Sequence, residues 1–554
     1  MNRPLLIAVS LLSFLPLPAQ QTVGLFFNDS LSYNGYTLLA PNSSTNTYLL
    51  DNCGEEVHSW TSNFQPGNVA YLLENGNLLR TGRINSIFNS GGSGGHIELI
   101  DWEGNVVWGY DYSSPDFHQH HDVEYLSNGN ILLIAWERHS RAEAIDAGRD
   151  PGRVGNNGIW AEQVVELEPV GEDQVNIVWS WSLWDHLIQD FDPSKANYGA
   201  VAEHPELIDI NFEPGGPNNA DWIHLNAIDY NPLLDQIVLS SRSFSEFWVI
   251  DHSTSAEEAG GHTGGNAGKG GDILYRWGNP MAYRRGTVED QQLFNQHDVH
   301  WIGEGLVGAG RFMIFNNGLN RPGGNYSSVD VVEPPLDENG HYISEEGQAY
   351  GPDFLFWTYR AQPPGAFFSA NISGAQRLPN GNTLICEGRG GHLFEVDFEG
   401  RILWDYVNPV RATGPVSQGA NINNNDVFRA YRYPPDYPAF EGRALEPQGP
   451  LELNPLPSDC MVFGDPVSSA HEPEGLSGVK VLSNPVSDRV EVVNETEKQL
   501  SLVVFTLTGQ RITRALIAPG INRLPSGEWL PGLYLLRVAD KGSGRYFVEK
   551  IIKY

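Results

Sequence analysis

Three cysteines in 554 residues, Cys53, Cys386 and Cys460, are too few for a disulfide scaffold. Basic residues are scarce too: 34 Lys and Arg against 68 Asp and Glu leave a formal net charge of −34. A surface this acidic repels phosphate backbones and makes nucleic acid a poor partner. An anionic substrate would need its own local basic residues. Long apolar runs are missing beyond the first residues. After Arg3, a run from Leu5 to Leu15 leads into Pro16-Leu-Pro-Ala-Gln20, the pattern of a secretory signal peptide over 1–19. That run is too short to span a membrane, and no later stretch reaches the roughly 18 apolar residues a span needs. The expectation is an exported, soluble chain without a transmembrane segment. Export permits a disulfide. Cys53 and Cys460 lie in turn-like segments and are the expected pair, whereas Cys386 ends the apolar strand pattern Thr383–Cys386 and reads as a buried thiol.

What is present points to a large β-rich core. Hydrophobic residues make up 40% of the chain, with 24 Phe, 22 Tyr and 15 Trp. Sixty Gly and 36 Pro, many in turn pairs, favour many short strands over long helices. Six related units can be traced. Each has a short strand, an Asn-Gly-type turn, an apolar strand, a strand bearing an acidic residue, and a closing strand bearing Trp. The clearest unit runs through Ala375–Asn382, Thr383–Cys386, His392–Asp397 and Gly400–Tyr406. A second runs through Ala70–Asn77, His96–Asp101 and Gly104–Trp108, and a degenerate first unit lies near Tyr36–Trp60. Four strands repeated six times predicts an all-β fold, a six-bladed β-propeller over 30–440. Long insertions fall at 138–158, 184–220, 252–270, 278–296 and 318–350. A Pro- and Glu-rich linker follows over 441–476, then a small C-terminal β-sandwich over 477–554.

Histidine recurs at one place in the repeat. Counting seven residues back from the turn gives His121 before Asn128, His224 before Asn231 and His297 before Glu304. The same count from Asn75 and Asn380 gives Asn68 and Ser373. One such histidine would be a satisfied core group; three in successive units are being gathered around an axis. On a strand, His224 and Asn226 share a face, and Arg242 ends the next strand, so basic and amide donors converge there. His118, His120, His121 and Asp122 are metal-ligand types, but neighbours on a strand point to opposite faces and make a poor single cage. No metal or cofactor is therefore expected.

Four pieces in order, His120-His-Asp122, Asp221-Trp-Ile-His-Leu-Asn226, Ser240-Ser-Arg242 and Gln296-His-Asp-Val299, resemble bacterial arylsulfate sulfotransferases across about 30–440. The resemblance implies a six-bladed propeller that moves a sulfuryl group from a phenolic sulfate ester to a phenolic acceptor. It implies a ping-pong cycle through a sulfohistidine, independent of nucleotide donors and metals. Carried over, His297 is the nucleophile, and His121, His224, Asn226 and Arg242 bind the sulfuryl group, with Ser373, or nearby Ser369, as the hydroxyl candidate. Implied partners are small-molecule phenols and aryl sulfates. Unlike some members, the chain leaves no room before the first unit for a separate N-terminal β-domain. Trp222, Trp301 and Phe294 are candidates to stack an aryl ring.

Leu482-Ser-Asn-Pro485, Val504-Phe-Thr-Leu-Thr-Gly509 and Pro531–Arg537 resemble the sorting domain of type IX secretion. That resemblance implies a diderm bacterium, engagement of the type IX secretion machinery and a secreted or cell-surface location. A generic β-sandwich module is the plain alternative. Two rival functions remain for the repeat region. A secreted ligand-binding propeller or adhesin would not need the His, Asn and Arg set. An aryl sulfate hydrolase would not be accelerated by added phenol.

Overall fold

The computed structural model describes residues 21–463 except 215 and 217. It also describes 476–553 except 477, 483–485, 507–510, 528, 531 and 540–545. The expected signal peptide at 1–19, residues 464–475 of the linker and parts of all three sorting motifs lie outside the described residues. The described chain is nearly all β. Its repeat region forms six antiparallel sheets of four strands each, one of them extended by a fifth.

The first strand of each sheet is the innermost: Pro66–Leu72, Phe117–Tyr125, Leu225–Asn231, His297–Trp301, Gly374–Arg377 and Val427–Tyr433. Each packs beside the next, and the last packs beside the first, so the inner strands close a ring. Closure uses both ends of the repeat region. Val427–Tyr433 pairs with Tyr36–Pro41, supplying the inner strand of the first sheet, and Gly24–Asn28 pairs with Ile402–Val407 at the outer edge of the sixth. The sequence pattern placed the first unit at Tyr36–Trp60 and left 427–433 unassigned. An inner strand imported from the far end leaves no local repeat to read.

The recurring tryptophans explain how neighbouring sheets lock. Trp60 Nε1 donates to Asp101 O (3.1 Å), Trp108 to Gln174 O (3.3 Å) and Trp179 to Thr254 Oγ1 (3.1 Å). Trp277 donates to Pro352 O (2.9 Å), Trp357 to Phe398 O (3.0 Å) and Trp404 to Asn52 O (2.8 Å). Every one of these bonds runs from one sheet to the next, and the sixth returns to the first. The indole buries a large apolar surface between the sheets while its N–H finds the partner it needs.

Cys53 and Cys460 are joined by a disulfide that ties the segment after the repeats to the first sheet. Cys386 is a free, buried thiol. Beyond the repeats, strands within 479–525 form a three-stranded sheet, and strands within 500–553 form a four-stranded one. Val490, Val492, Leu502, Val504, Leu536 and Ile551 belong to the apolar core there.

Candidate active site

The inner strands do not run smoothly at the histidines. His121 (φ 53°) and His224 (φ 55°) are left-handed, as are Asn68 (φ 121°) and Ser373 (φ 90°) at the other positions reached by the same count. In the fifth unit the left-handed residue is Asp298 (φ 55°), one place after His297. Register slips accompany these residues at Leu225/Ala227 and His297/His300. Such backbone costs on the order of 1–3 kcal/mol per residue and aims side chains that a regular strand would not.

The bulge overturns the expectation that His120 and His121 point to opposite faces. The left-handed turn at His121 breaks the alternation, and the two imidazoles meet, Nδ1 to Nδ1, at 2.7 Å. His120 Nε2 reaches Glu162 Oε2 at 2.8 Å, and Glu162 Oε1 accepts the Leu225 N–H at 2.9 Å. All three side chains are buried. Burial first, then the charge of His224, holds His121 well below the ordinary imidazole range; burial does the same for His120 and raises Glu162 well above the usual carboxylate range. Two proton arrangements satisfy this chain. With Glu162 ionised, His120 donates to it and accepts from His121, leaving a lone pair on His121 Nε2. With Glu162 protonated, every donor reverses and His121 Nε2 carries a proton. A proton taken up at His121 can thus be stored on Glu162.

His224 lies beside His121, with ring centroids 4.7 Å apart. Its Nδ1 donates to Asp221 Oδ2 at 2.5 Å. Asp221 also accepts from Trp136 Nε1 at 3.1 Å and from the Ser90 hydroxyl. Burial alone would raise this carboxyl, but the His224 charge and these hydrogen bonds leave it below its usual range.

His297 is oriented by a residue the sequence pattern did not single out. Asn317 Nδ2 donates to Ser369 O and Ile372 O, each at 2.9 Å, which fixes the amide and turns Oδ1 toward His297 Nδ1 at 2.7 Å. A carbonyl oxygen only accepts, so His297 carries its proton on Nδ1 and its lone pair on Nε2. That lone pair meets the Ile372 N–H at 3.1 Å. Ile372 is itself left-handed (φ 51°), a rare state for a β-branched residue. Burial, then the Arg242 charge, lowers His297 well below the ordinary range, so its imidazole is neutral.

Arg242 follows the strand Gln236–Ser241, and its backbone N–H donates to His224 O at 3.1 Å. Among the described residues its guanidinium makes no hydrogen bond or ion pair, although it is largely buried beside Asp221 and His297. Asn226 is placed differently from expectation. Its Nδ2 donates to Gln296 O at 2.7 Å, so it braces the residue before His297. Ser373 is likewise committed: its hydroxyl donates to Ser369 Oγ and accepts the Gly388 N–H, each at 2.9 Å. It supports the loop whose carbonyls hold Asn317.

Two further groups escaped the sequence reading. Arg429, on the imported inner strand, donates to Asp122 (2.6 Å) and Asn226 O (2.9 Å) and forms an ion pair with Asp298 (3.0 Å), tying three other inner strands together. Ser90-Gly-Gly-Ser-Gly-Gly95 covers the site. Gly92 (φ 85°) lies so close that a Cβ would sit 2.1 Å from His121 Nε2, and Gly91 approaches His224. The glycine run was visible; its target was not. Phe428 completes the surround, 6.1 Å from His121 and 6.3 Å from His297 between ring centroids. Trp222 packs on Phe244 and Trp301 on Phe312 within the core. Phe294 instead lines a separate surface pocket of about 620 Å³ with Arg321 and Tyr326.

A model of the family described as Arylsulfotransferase (ASST) matches residues 25–403, more than half of the chain. No curated protein matches. Among solved structures, a protein of unknown function from Bacteroides caccae is similar at 11% identity and TM-score 0.37, over 69% of this chain and 96% of that one. Virginiamycin B lyase from Staphylococcus aureus is similar at 11% identity and TM-score 0.28, over 66% and 83%.

Proposed function

The chain belongs to the arylsulfotransferase family, and we propose that it carries out sulfuryl transfer between phenols in a ping-pong cycle through His297. The observation that carries the reading is a neutral, oriented imidazole beside a guanidinium that has no hydrogen-bond partner among the described residues, in a strongly acidic protein. His297 Nε2 attacks the sulfur of the donor ester, displacing the Ile372 N–H from its lone pair. The S–O(aryl) bond breaks and an N–S bond forms. Neutral imidazole becomes an N-sulfated imidazolium, and its Nδ1–H bond to Asn317 becomes charge-assisted. Arg242 stabilises the peripheral sulfuryl oxygens, where charge concentrates in transfers of this type. The leaving phenolate takes a proton from His224, which Asp221 orients through Nδ1, or, through His121, from Glu162. In the second half, the incoming phenol returns a proton to whichever of these two groups gave one. Its oxygen then attacks sulfur and frees His297. Asn226 and Ser373 hold the nucleophile's strand and loop rather than the substrate.

No nucleotide donor enters this scheme. It is tested with p-nitrophenyl sulfate. Added phenol should accelerate donor turnover in a transferase, and an unchanged rate would favour the hydrolase alternative. A total lack of turnover would favour a binding propeller.

We also propose export of the chain through a signal peptide over 1–19 and type IX sorting through 477–554, placing the mature enzyme at the cell surface or outside. The support is the apolar leader, the motif resemblance and a compact two-sheet β domain at the C-terminus. Intact-mass measurement of surface or medium protein that retained the whole C-terminal domain would contradict the sorting proposal.

A further inference from the structure

Away from the histidine site, three side chains from the long insertions converge. His186 ends the short turn Leu183–His186, while His262 and Asp272 come from the glycine-rich insertion after residue 251. Asp272 Oδ1 lies 2.8 Å from His186 Nδ1 and 2.8 Å from His262 Nδ1. One donor atom from each residue falls within 4.8 Å of the others, which among the described residues marks a candidate metal-binding trio.

The local design suits a bound cation. His186 is fully buried, and its Nε2 lies 2.9 Å from Ala259 O. A carbonyl only accepts, so Nε2 carries a proton, and Nδ1 is the ring atom that faces the carboxylate oxygen. An imidazole whose outer N–H is anchored on a backbone carbonyl while its other nitrogen faces a carboxylate has the usual arrangement of a metal-bound histidine. The ring is further fixed by stacking on Trp181 at 5.6 Å. Gly271 lets the insertion approach this closely, since a Cβ there would sit 2.0 Å from Ala259 O and 2.7 Å from His186 Nε2.

We propose that His186, His262 and Asp272 bind one zinc ion that clamps the insertion containing 252–272 to the segment 183–188. Two imidazoles and one carboxylate suit zinc, and a water can complete a tetrahedral set. Ligands bonded to zinc at about 2.0–2.2 Å stand roughly 3.4 Å apart, so loading requires opening by a few tenths of an ångström. His262, with 58% of its side chain exposed on a surface insertion, can make that shift. It also lines a surface pocket of about 480 Å³ with Asp185 and His204, from which the ion and its water can enter. None of the three ligands hydrogen-bonds to His121, His224 or His297, so the clamp is structural and separate from sulfuryl transfer.

The test uses the full chain, stripped with chelator and dialysed against zinc chloride, with bound metal measured by elemental analysis and Tm by calorimetry. The expected result is one zinc per chain and a zinc-dependent rise in Tm. In H262A, binding should weaken by more than about tenfold, because losing a ligand costs at least as much as losing its outer partner. The rise in Tm should vanish while turnover persists. As the exposed member, His262 can be replaced without disturbing the buried pair. D272N gives a second reading of the same loss. Wild-type protein that takes up no stoichiometric zinc, or H262A that binds it as tightly as wild type, would overturn the proposal.

Discussion

Replacing Asn317 by alanine isolates the group that makes His297 a nucleophile. In the resting enzyme the amide accepts one neutral hydrogen bond from His297 Nδ1 at 2.7 Å and donates two to loop carbonyls. When His297 takes the sulfuryl group, the same N–H belongs to a cation. Hydrogen bonds to charged groups contribute about 1.5–3 kcal/mol, against about 1 kcal/mol for neutral ones. Losing that gain, together with control of which nitrogen holds the proton, should cost about 2–3 kcal/mol in the transition state. That corresponds to a fall in kcat of about 30- to 150-fold. KM for the donor should change much less, since Arg242 is untouched. The assay is single-turnover release of p-nitrophenol, with circular dichroism and Tm as controls for folding, because two buried carbonyls lose their donor. N317D separates the effects: it restores an acceptor for His297 but not the donors to the loop, so it should recover part of the rate. A folded N317A protein with kcat within about threefold of wild type would refute the orienting role of Asn317.

Further outcomes follow from the same geometry. Arg242→Lys should retain slow turnover, because a point charge replaces a planar fork, and the loss should appear with every aryl sulfate tried. Gly92→Ala should abolish activity, since a methyl at φ 85° would collide with the His121 ring; crystallography or thermal melts would show whether the fold survives. Glu162→Gln should flatten or shift the pH dependence of kcat while leaving donor KM near wild type; a merely structural Glu162 would leave the pH profile unmoved. Stability should fall in acid. His118 is lowered by burial from 6.5 to about 4, so the unfolded chain binds its proton first. The contribution of this residue is intact above about pH 6.5 and is lost progressively as pH falls toward 4, measurable as Tm against pH.

The sequence revealed the periodic parts of this molecule and concealed the aperiodic ones. Trp60, Trp108, Trp179, Trp277, Trp357 and Trp404 recur because every sheet must lock to the next, and that periodicity was readable. His121, His224, His297 and Arg242 were legible as a converging set because repeats place equivalent residues around one axis. Their contacts were not legible. A regular strand keeps His120 and His121 apart, and only the left-handed turn at His121 brings them together. Glu162, Asn317 and Arg429 act across sheets, at sequence separations that a strand pattern does not encode. Asn226 and Ser373 sit near the predicted place, but Asn226 spends its amide donor, and Ser373 its hydroxyl, on the backbone and loop that hold His297.

In the proposed cycle, His297 carries the sulfuryl group between two phenols. This role is tested most directly by mixing enzyme with an aryl sulfate and no acceptor, quenching without acid, and mapping peptide masses. One added sulfuryl group is expected on the peptide containing His297, absent in His297→Ala and discharged by added phenol. A label on another residue, or a His297→Ala protein that still transfers sulfate near the wild-type rate, would contradict it.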